Sequence, residues 1–423
     1  MNTAALAVKP LTSTSDQVFV WVWLPGASEP IPAGVLTPRS GTGLHFHYGE
    51  KYLLRPDAVS LYGPQLPLTN EWFPPNGDLG MPGAIRDGSP DGWGRRVILN
   101  RVTGSRGKDA RVEDLDERTY LLRSGSNRLG AIDFQASNKI YEAREESASL
   151  DELHRAAQMV EAGEQLPAGL DEALIGGSTI GGARPKALID IDGAPWIAKF
   201  STSSDTFSVV GAEAASIHLA RAVGIDVPES RVTSSLGREV LLTRRFDRPR
   251  GTTRRMVVSA LTMLGLDEIG ARYGSYPELL DILRRHGRRP GEAGAELFQR
   301  IAFNMAISNI DDHLRNHAAF WDGKELDLTP AYDLSPMSRS GETASQAIAY
   351  GRQGQRDSNF RSLLDVSHEY GLSAPAGRAI IDNIIATVND TWDDSANEGR
   401  LTKVDRRYLW GRQFLNPGTM YGY

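Results

Sequence analysis

The sequence predicts an α+β fold of two lobes, with a β-rich N-terminal half and an all-helical C-terminal lobe. Residues 16–135 contain short runs of β-branched and aromatic residues, such as 19–24, separated by frequent glycine and proline. From Arg255 onward the pattern becomes helical, with apolar residues such as Leu279 and Leu283 four positions apart. Halves of such different character suggest two lobes with a cleft between them.

Length and composition indicate a globular protein with room for two or three cores. The chain has 423 residues, of which 40% are hydrophobic and 24% are charged, and its formal net charge is −6. This charge excludes a protein that binds nucleic acid through an overall basic surface. The basic run at residues 284–289 is interpreted as a solvated helix end.

The absence of cysteine excludes disulfides, thiolate metal sites and a cysteine nucleophile. No apolar run is long enough to span a bilayer, and the N-terminus lacks the pattern of a signal peptide. These features predict a cytoplasmic protein that has no membrane partner.

Residues 1–139 are predicted to form a β-rich N-terminal subdomain. Strands are expected at residues 19–24, 34–36, 44–48 and 129–134. A helix is expected over residues 89–101, because Pro90 suits the first turn of a helix.

Residues 140–248 are predicted to form a second unit, and residues 249–423 the helical lobe. The second unit begins with an acidic helical connector over residues 140–173. The Asp192-Gly193 pair is typical of a two-residue hairpin turn. Strands are expected at 187–191, 196–200, 231–233 and 239–243, and a helix at about 211–223.

A glycine-rich turn lies directly before this hairpin. Residues 176–186 read Gly-Gly-Ser-Thr-Ile-Gly-Gly-Ala-Arg-Pro-Lys. Glycine lets backbone N–H groups approach phosphate oxygens closely, and Ser178 and Thr179 add hydroxyl donors. The turn is not a Walker A loop, because no Gly-Lys-Ser/Thr ends it and a strand follows it. By itself, such a turn is more often an ordinary loop.

Lys199 lies near the end of the second hairpin strand, in the order Ile-Ala-Lys. The order is similar to the strand of protein kinases whose lysine reaches the α- and β-phosphates. Alternatively, Lys199 lies on the solvent face of an amphipathic strand. Glu213 follows fourteen residues later, on the next helix, where it could pair with Lys199 or only complement the helix dipole.

Three side chains of the C-terminal half suit the transfer of a phosphoryl group. Asn316 lies five residues after Asp311, and Asp333 follows seventeen residues after Asn316. The first carboxylate would orient or accept the proton of an attacking hydroxyl, and the other two side chains would supply oxygen ligands to Mg²⁺. The Asp-x₄-Asn pattern is common by chance, but the glycine loop, Lys199 and Glu213 precede it in the order that a kinase requires.

These motifs resemble the HipA family of bacterial serine/threonine kinases, the toxins of persistence-associated toxin–antitoxin modules. The similar segments are Ser-Pro-Asp-Gly-Trp-Gly-Arg at 89–95, Leu-Gly-Ala at 129–131, Gly-Gly-Ala-Arg-Pro-Lys at 181–186, Leu-Thr-Arg-Arg-Phe-Asp-Arg at 242–248, Asn304, residues 311–316 and Ala-Tyr-Asp-Leu-Ser-Pro at 331–336. The resemblance implies a bilobal protein-kinase-like fold with an extra N-terminal subdomain.

The resemblance also implies roles for Lys199 of the second unit and for the matching residues of the C-terminal half. Asp311 would be the catalytic aspartate, and Arg315 would stabilise the transferring phosphoryl group. Lys199 would hold the ATP phosphates. Asn316 and Asp333 would bind Mg²⁺.

The nucleotide itself would contact a larger set of residues. These are Gly181, Gly182, Ala183, Lys186, Lys199, Arg244, Phe246 and Asp247. The backbone around 244–246 would meet the adenine, and Asp247 would touch the ribose.

The chain departs from the family pattern in two places. The serine whose autophosphorylation ejects the phosphate loop and inactivates these kinases matches Thr179 here, with Ser178 one residue before it. The identity of that regulatory site, or its existence, therefore stays open. Arg244 replaces the usual hinge glutamate, which matters less if that residue meets adenine through its backbone.

The leading hypothesis is an ATP- and Mg²⁺-dependent serine/threonine kinase toxin. The resemblance implies that it acts on a translation component such as an aminoacyl-tRNA synthetase. A small HipB-like helix-turn-helix antitoxin would neutralise it and link it indirectly to operator DNA. The alternatives are a catalytically weak HipA-like corepressor scaffold and a small-molecule kinase on a related fold. The presence of Lys199, Asp311, Asn316 and Asp333 argues against the scaffold.

Overall fold

The computed structural model describes residues 17–39, 43–103, 111–144, 148–164, 166, 174, 184–202, 205–249, 252–339 and 341–423. Ser178, Thr179, Gly181, Gly182 and Ala183 lie outside the described residues. Their assignments to the phosphate loop therefore remain predictions, as does the division of the chain at residues 139 and 248.

The N-terminal residues form a five-stranded antiparallel sheet, with spatial order β4-β3-β2-β1-β5. Its strands are β1 (Val18–Val22), β2 (Ile31–Pro38), β3 (Leu44–Tyr48), β4 (Trp72–Phe73) and β5 (Ile132–Gln135). The β-branched and aromatic residues that predicted these strands are buried, among them Val20 and Phe46. The predicted β-rich character of this part is confirmed.

Four helices accompany this sheet within the described part of the chain. They are α1 (Glu50–Leu53), α2 (Gly83–Arg86), α3 (Gly92–Thr103) and α4 (Glu117–Arg123). Helix α3 begins at the Ser-Pro-Asp-Gly segment because Asp91 Oδ1 accepts a hydrogen bond from Gly94 N at 2.7 Å. This cap uses only Oδ1, and Oδ2 of Asp91 faces Lys186.

A second, four-stranded antiparallel sheet has the order β6-β7-β9-β8. The elements here are α5 (Leu150–Glu161), β6 (Lys186–Ile191), β7 (Ala194–Phe200), α6 (Val209–Ala222), β8 (Ser230–Ser235) and β9 (Arg238–Arg244). Asp192 and Gly193 have φ of +55° and +75°, as a two-residue turn of the primed type requires. The predicted hairpin is confirmed.

The C-terminal half is mainly helical. Its helices are α7 (Ala260–Met263), α8 (Tyr276–His286), α9 (Ala293–Ala306), α10 (Phe360–Asp365), α11 (Ala374–Glu398), α12 (Lys403–Leu409) and α13 (Pro417–Met420). None of the helices in the described ranges is both long and apolar enough to cross a bilayer.

The expectation of an all-helical C-terminal lobe is wrong in one respect. A three-stranded antiparallel sheet lies within it, formed by β10 (Met256–Ser259), β11 (Ala318–Trp321) and β12 (Leu326–Leu328). Every residue of β10 and β11 is buried, so these strands lack the alternation that identifies a half-exposed strand. The predicted α+β class is otherwise confirmed.

The basic run at 284–289 ends α8 and continues into the following turn. Arg288 pairs with Asp322 and Glu325, and Arg289 pairs with Asp327. The contacts fit the predicted solvated helix end, because neighbouring carboxylates already balance these charges.

Candidate functional site

A cleft of about 1150 Å³ lies between the four-stranded sheet and the C-terminal half. It brings together most of the side chains singled out in the sequence. Its lining includes Lys186, Lys199, Glu213, Arg244, Phe246, Asp247, Arg315, Asn316 and Asp333. Asp311 is exposed, at the start of the segment that carries Asn316. Asn316 Nδ2 lies 3.5 Å from Asp311 O.

Lys199 is the centre of the site. Its Nζ lies 2.6 Å from Glu213 Oε1 on α6 and 2.6 Å from Asp333 Oδ1 in the segment after β12. The predicted pairing with Glu213 is therefore confirmed, and Lys199 does not lie on a solvent face. Because α6 begins at Val209, Glu213 lies in its second turn and not in its first, which weakens the dipole interpretation.

The protonation states of Lys199, Asp333 and Glu213 depend on their burial and on one another's charges. Burial alone would lower the pKa of Lys199, but Asp333 and Glu213 outweigh burial and raise it. Burial alone would raise the pKa of Asp333, yet Lys199 lowers it to about 2. Burial raises the pKa of Glu213; Lys199 opposes this shift, and the negative charge of Asp333 adds to it. Asp333 is thus held in its ionised form, which is the form that could bind a divalent cation.

The backbone of Asp333 adopts an unusual conformation with φ of +58°. This left-handed region is rarely populated by a residue other than glycine, and such strain concentrates at functional sites. Asn309 Nδ2 donates to Asp333 O at 3.3 Å and to Asn304 Oδ1 at 3.0 Å. Sequence reasoning missed Asn309, although a buried amide in an apolar run needs such partners.

His313 and Arg315 line the cleft beside the two predicted metal ligands, Asn316 and Asp333. Arg315 Nη2 lies 2.7 Å from Glu268 Oε1, so its guanidinium is paired with that carboxylate. Tyr332 donates to Arg315 O at 2.7 Å and fixes the backbone there. His313 Nδ1 is buried without a hydrogen-bond partner among the described residues.

The N-terminal part of the chain also supplies a residue to the cleft. Lys186 stands directly opposite Lys199 in the β6–β7 register, and its Nζ lies 2.8 Å from Asp91 Oδ2. Burial lowers the pKa of Lys186, and Asp91 opposes that shift. In the sequence, Asp91 is only one residue of the Ser-Pro-Asp-Gly segment. Its pairing with a lysine almost a hundred residues away is not visible in the sequence.

The predicted adenine-binding segment forms an apolar wall. Phe246 packs against Phe320 and Tyr332, with ring centroids 5.8 and 5.6 Å apart. Arg244 N donates to Glu229 O and Arg245 N donates to Pro195 O. Because those two donors are used, backbone contacts to adenine from residues 244 and 245 are limited to carbonyl oxygens.

Asp247 has several partners in the structure, and its contact with the ribose remains a prediction. Its carboxylate is buried and accepts hydrogen bonds from Arg245 Nε and Nη2, from Arg248 Nη1 and from Gly130 N. Three of these donors reach Oδ2 and one reaches Oδ1. Asp247 thereby joins the hinge after β9 to the turn before β5, and it also lines the cleft.

The donor set suits magnesium better than a transition metal. No group of three or more His, Cys, Asp or Glu side chains in the described ranges could hold a metal ion. Mg²⁺ characteristically takes one or two protein oxygens and completes its shell with water and phosphate. An ionised Asp333 and the Asn316 amide, both facing one cleft, fit that requirement.

Residues 178–392, about half of the chain, match the family model of the HipA-like C-terminal domain. The chain belongs to that family. A chain in the solved complex of HipA, HipB and operator DNA from Shewanella oneidensis MR-1 aligns with this HipA-like chain at a TM-score of 0.61. The alignment covers 92% of this chain and 94% of that one at 16% identity, and it confirms the predicted bilobal fold.

Two further comparisons are more limited. A Sinorhizobium fredii protein named "Putative kinase Y4mE" is 26% identical over 203 residues, which are 45% of this HipA-like chain and 46% of the relative. The chain therefore spans about half the length of the curated relative it matches. The proinflammatory kinase CtkA of Helicobacter pylori aligns at a TM-score of 0.38 and 13% identity, over 54% of this chain and 92% of that one.

Proposed function

We propose that this HipA-like chain is an ATP- and Mg²⁺-dependent serine/threonine protein kinase. The observation that carries the proposal is the position of Lys199, 2.6 Å from Glu213 and from Asp333 in one cleft with Asn316. A kinase needs a lysine placed by a helix carboxylate, close to the carboxylate that holds the metal.

Binding of the nucleotide follows from these contacts. The adenine would lie against Phe246, and its phosphates would extend toward Lys199 and Lys186. The Lys199 ammonium contacts both Glu213 and Asp333 in this structure. When ATP binds, phosphate oxygens would replace part of its contact with Asp333. Asn316 and Asp333 would hold Mg²⁺, whose charge would offset that of the phosphates.

The transfer step is assigned to Asp311. The hydroxyl oxygen of a serine or threonine forms a bond to the γ-phosphorus, and the bond from that phosphorus to the bridging oxygen of ADP breaks. The Asp311 carboxylate orients the hydroxyl and takes its proton. Arg315 would stabilise the transferring group once its guanidinium turns from Glu268.

A second cleft provides a route for the acceptor. It has a volume of about 1300 Å³ and lies between α2, α3 and the 267–269 segment. It shares Ser89, Asp91, His313 and Arg315 with the nucleotide cleft. An acceptor segment lying there would face the γ-phosphate without crossing the adenine wall.

The biological setting is inferred from the family. We infer a cytoplasmic toxin that phosphorylates a translation component such as an aminoacyl-tRNA synthetase. A HipB-like antitoxin would bind it and connect it to operator DNA. Membership of the HipA-like family and the shared fold over nearly the whole chain support this setting.

Phosphate transfer from labelled ATP tests the proposal. The purified protein is incubated with Mg-[γ-³²P]ATP and bacterial lysate, and labelled products are separated by size and by phosphoamino-acid analysis. Phosphoserine or phosphothreonine in a protein band is expected. Label confined to a small molecule would favour a metabolite kinase. No label, together with binding of a HipB-like antitoxin, would favour a corepressor scaffold.

A further inference from the structure

A buried hydrogen-bonded group lies behind the segment that carries Asp311 and Asn316. It consists of Tyr276, Asp312 and His317, each no more than 3% exposed. Tyr276 Oη donates to Asp312 Oδ2 and lies 2.9 Å from His317 Nε2. His317 Nε2 lies 2.9 Å from Asp312 Oδ1. None of the three lines either of the two clefts described above.

The chemistry of this group is that of an anchored carboxylate. A buried aspartate is tolerated only when donors satisfy its oxygens. Each oxygen of Asp312 has its own donor, the tyrosine hydroxyl for one and the imidazole for the other. Burial and the adjacent Asp312 raise the pKa of Tyr276 well above its ordinary value, so its hydroxyl remains a donor.

The group holds both ends of the segment. Asp312 directly follows Asp311, and His317 directly follows Asn316. The anchor is itself fixed, because Tyr276 N donates to Ala349 O at 2.9 Å. The carbonyl of His317 accepts a hydrogen bond of 2.8 Å from Ala260 N at the start of α7. The spacing of the proposed base and metal ligand is therefore set from behind, outside the clefts.

We propose that Tyr276 is a positioning residue for phosphoryl transfer, whose hydroxyl fixes Asp312 and thereby the placement of Asp311 relative to Asn316. This inference rests on the proposed kinase function. A hydroxyl that only stabilised the fold would affect the free energy of unfolding and not the rate of phosphoryl transfer. A positioning role predicts that the transfer rate falls as well when the hydroxyl is removed.

A matched pair of variants separates the two roles. Tyr276→Phe removes the hydroxyl from the group. Tyr370→Phe removes an equally buried hydroxyl, whose hydrogen bond goes to Tyr350 O at 2.6 Å and not to residues 311–317. Both should lower the unfolding temperature, and Tyr276→Phe should lower it more, because it leaves one oxygen of the buried Asp312 carboxylate without its donor.

Initial rates of label incorporation are measured against ATP concentration for each variant. Tyr276→Phe should lower kcat by roughly tenfold to a hundredfold with a nearly unchanged KM for ATP, because misplacement of reacting groups slows the chemical step. Tyr370→Phe should leave kcat near that of the wild type. Equal kinetic effects of the two variants, or none from Tyr276→Phe, would overturn the proposal.

Hydrogen exchange of the 311–317 peptide, followed by mass spectrometry, does not depend on activity. Exchange should accelerate in Tyr276→Phe and stay unchanged in Tyr370→Phe. If the wild type transfers no phosphate, the kinase assignment fails. The exchange rates still decide whether the Tyr276 hydroxyl holds residues 311–317 in place. Unchanged exchange overturns the inference. Should Tyr276→Phe not fold, Asp312→Asn takes its place with the same expectations.

Discussion

Lys199 is half-buried in a strand of mostly apolar residues, where two carboxylates from distant elements reach its ammonium. Its neighbours Ala198 and Phe200 are fully buried, so the charged ammonium of Lys199 lies beside apolar side chains that cannot solvate it. Glu213 arrives from α6 and Asp333 from the segment after β12. An ion group of this kind contributes little net stability, but it fixes the geometry of a site. The lysine thus holds the two halves of the chain at one point.

Asp333→Ala should weaken nucleotide binding only when magnesium is present. The cation would lose one of its few protein oxygens, so affinity for Mg-ATP should fall about tenfold or more. Without magnesium the affinity should fall little, because Lys199 stays available to the phosphates. Calorimetric titration with ATP, with Mg²⁺ or with EDTA, measures both values. Asp327→Ala, which removes a carboxylate paired with Arg289 away from the site, is the control.

An affinity for Mg-ATP that is unchanged by Asp333→Ala would contradict the assignment of this residue to the metal. Equal losses with and without magnesium would point to a general effect on the cleft.

The hinge that follows β9 is connected to the turn before β5 of the N-terminal sheet by the carboxylate of Asp247. Asp247 accepts from Arg245, from Arg248 and from the backbone of Gly130, which is 117 residues away. Arg245 and Arg248 each also donate to Arg128 O at 2.6 Å. The wall expected to meet adenine is thereby held by the turn before β5.

Asp247→Asn should lower stability and change its dependence on pH. Burial alone would raise the pKa of Asp247, but Arg245 and Arg248 lower it from about 3.8 to about 2. A lowered pKa contributes stability that is present above pH 4 and lost as the pH falls through 2. Such a shift corresponds to about 2–3 kcal/mol. The variant should therefore be less stable at neutral pH and lose stability less steeply between pH 4 and pH 2.

Urea unfolding of both proteins at a series of pH values gives the two slopes. Asp394→Asn, at an exposed position on α11, serves as the control and should follow the wild type. Parallel curves for Asp247→Asn and the wild type would show that the carboxylate does not stabilise this junction.

The sequence predicted those elements whose signals are local. The hairpin of β6 and β7 was predictable from its Asp192-Gly193 turn, and the pairing of Lys199 with Glu213 from the order of motifs. Strands β10 and β11 were not predictable, because they are buried on both faces and show no alternation. The partners of Asp247 and Lys186 include Gly130 and Asp91, which only the folded chain brings near.

The N-terminal half is joined to the proposed kinase cleft by several buried polar contacts. Asp87 accepts hydrogen bonds from Ser259 N and Oγ at 2.8 and 2.7 Å, and Asp91 pairs with Lys186. Together with the junction at Asp247, these contacts make the N-terminal half part of the site. Lys186 is also the last residue of the glycine-rich segment. A conformational change in that segment should therefore shift Lys186 and, through the β6–β7 pairing, Lys199.

Phosphorylation of Ser178 or Thr179 should switch the kinase off. A phosphate there adds about −1.5 to −2 charges close to where the ATP phosphates are expected, and repulsion should displace the loop. Thr179 matches the family serine, although its β-branched side chain is stiffer. Mass spectrometry of the wild type and Asp311→Asn from the same host should find phosphate only in the wild type. An unmodified yet active wild type would rule out this switch.

Single-turnover transfer by the wild type and Asp311→Asn, both saturated with Mg-ATP, tests the proposed kinase most directly. The rate of phosphoprotein formation is followed by rapid quench, and ATP affinity is measured on the same samples. Asp311→Asn should bind Mg-ATP like the wild type and transfer phosphate slower by a factor of about 10² or more, because the base is lost while the fold is kept. Transfer at the wild-type rate would contradict the phosphoryl-transfer role assigned to this site.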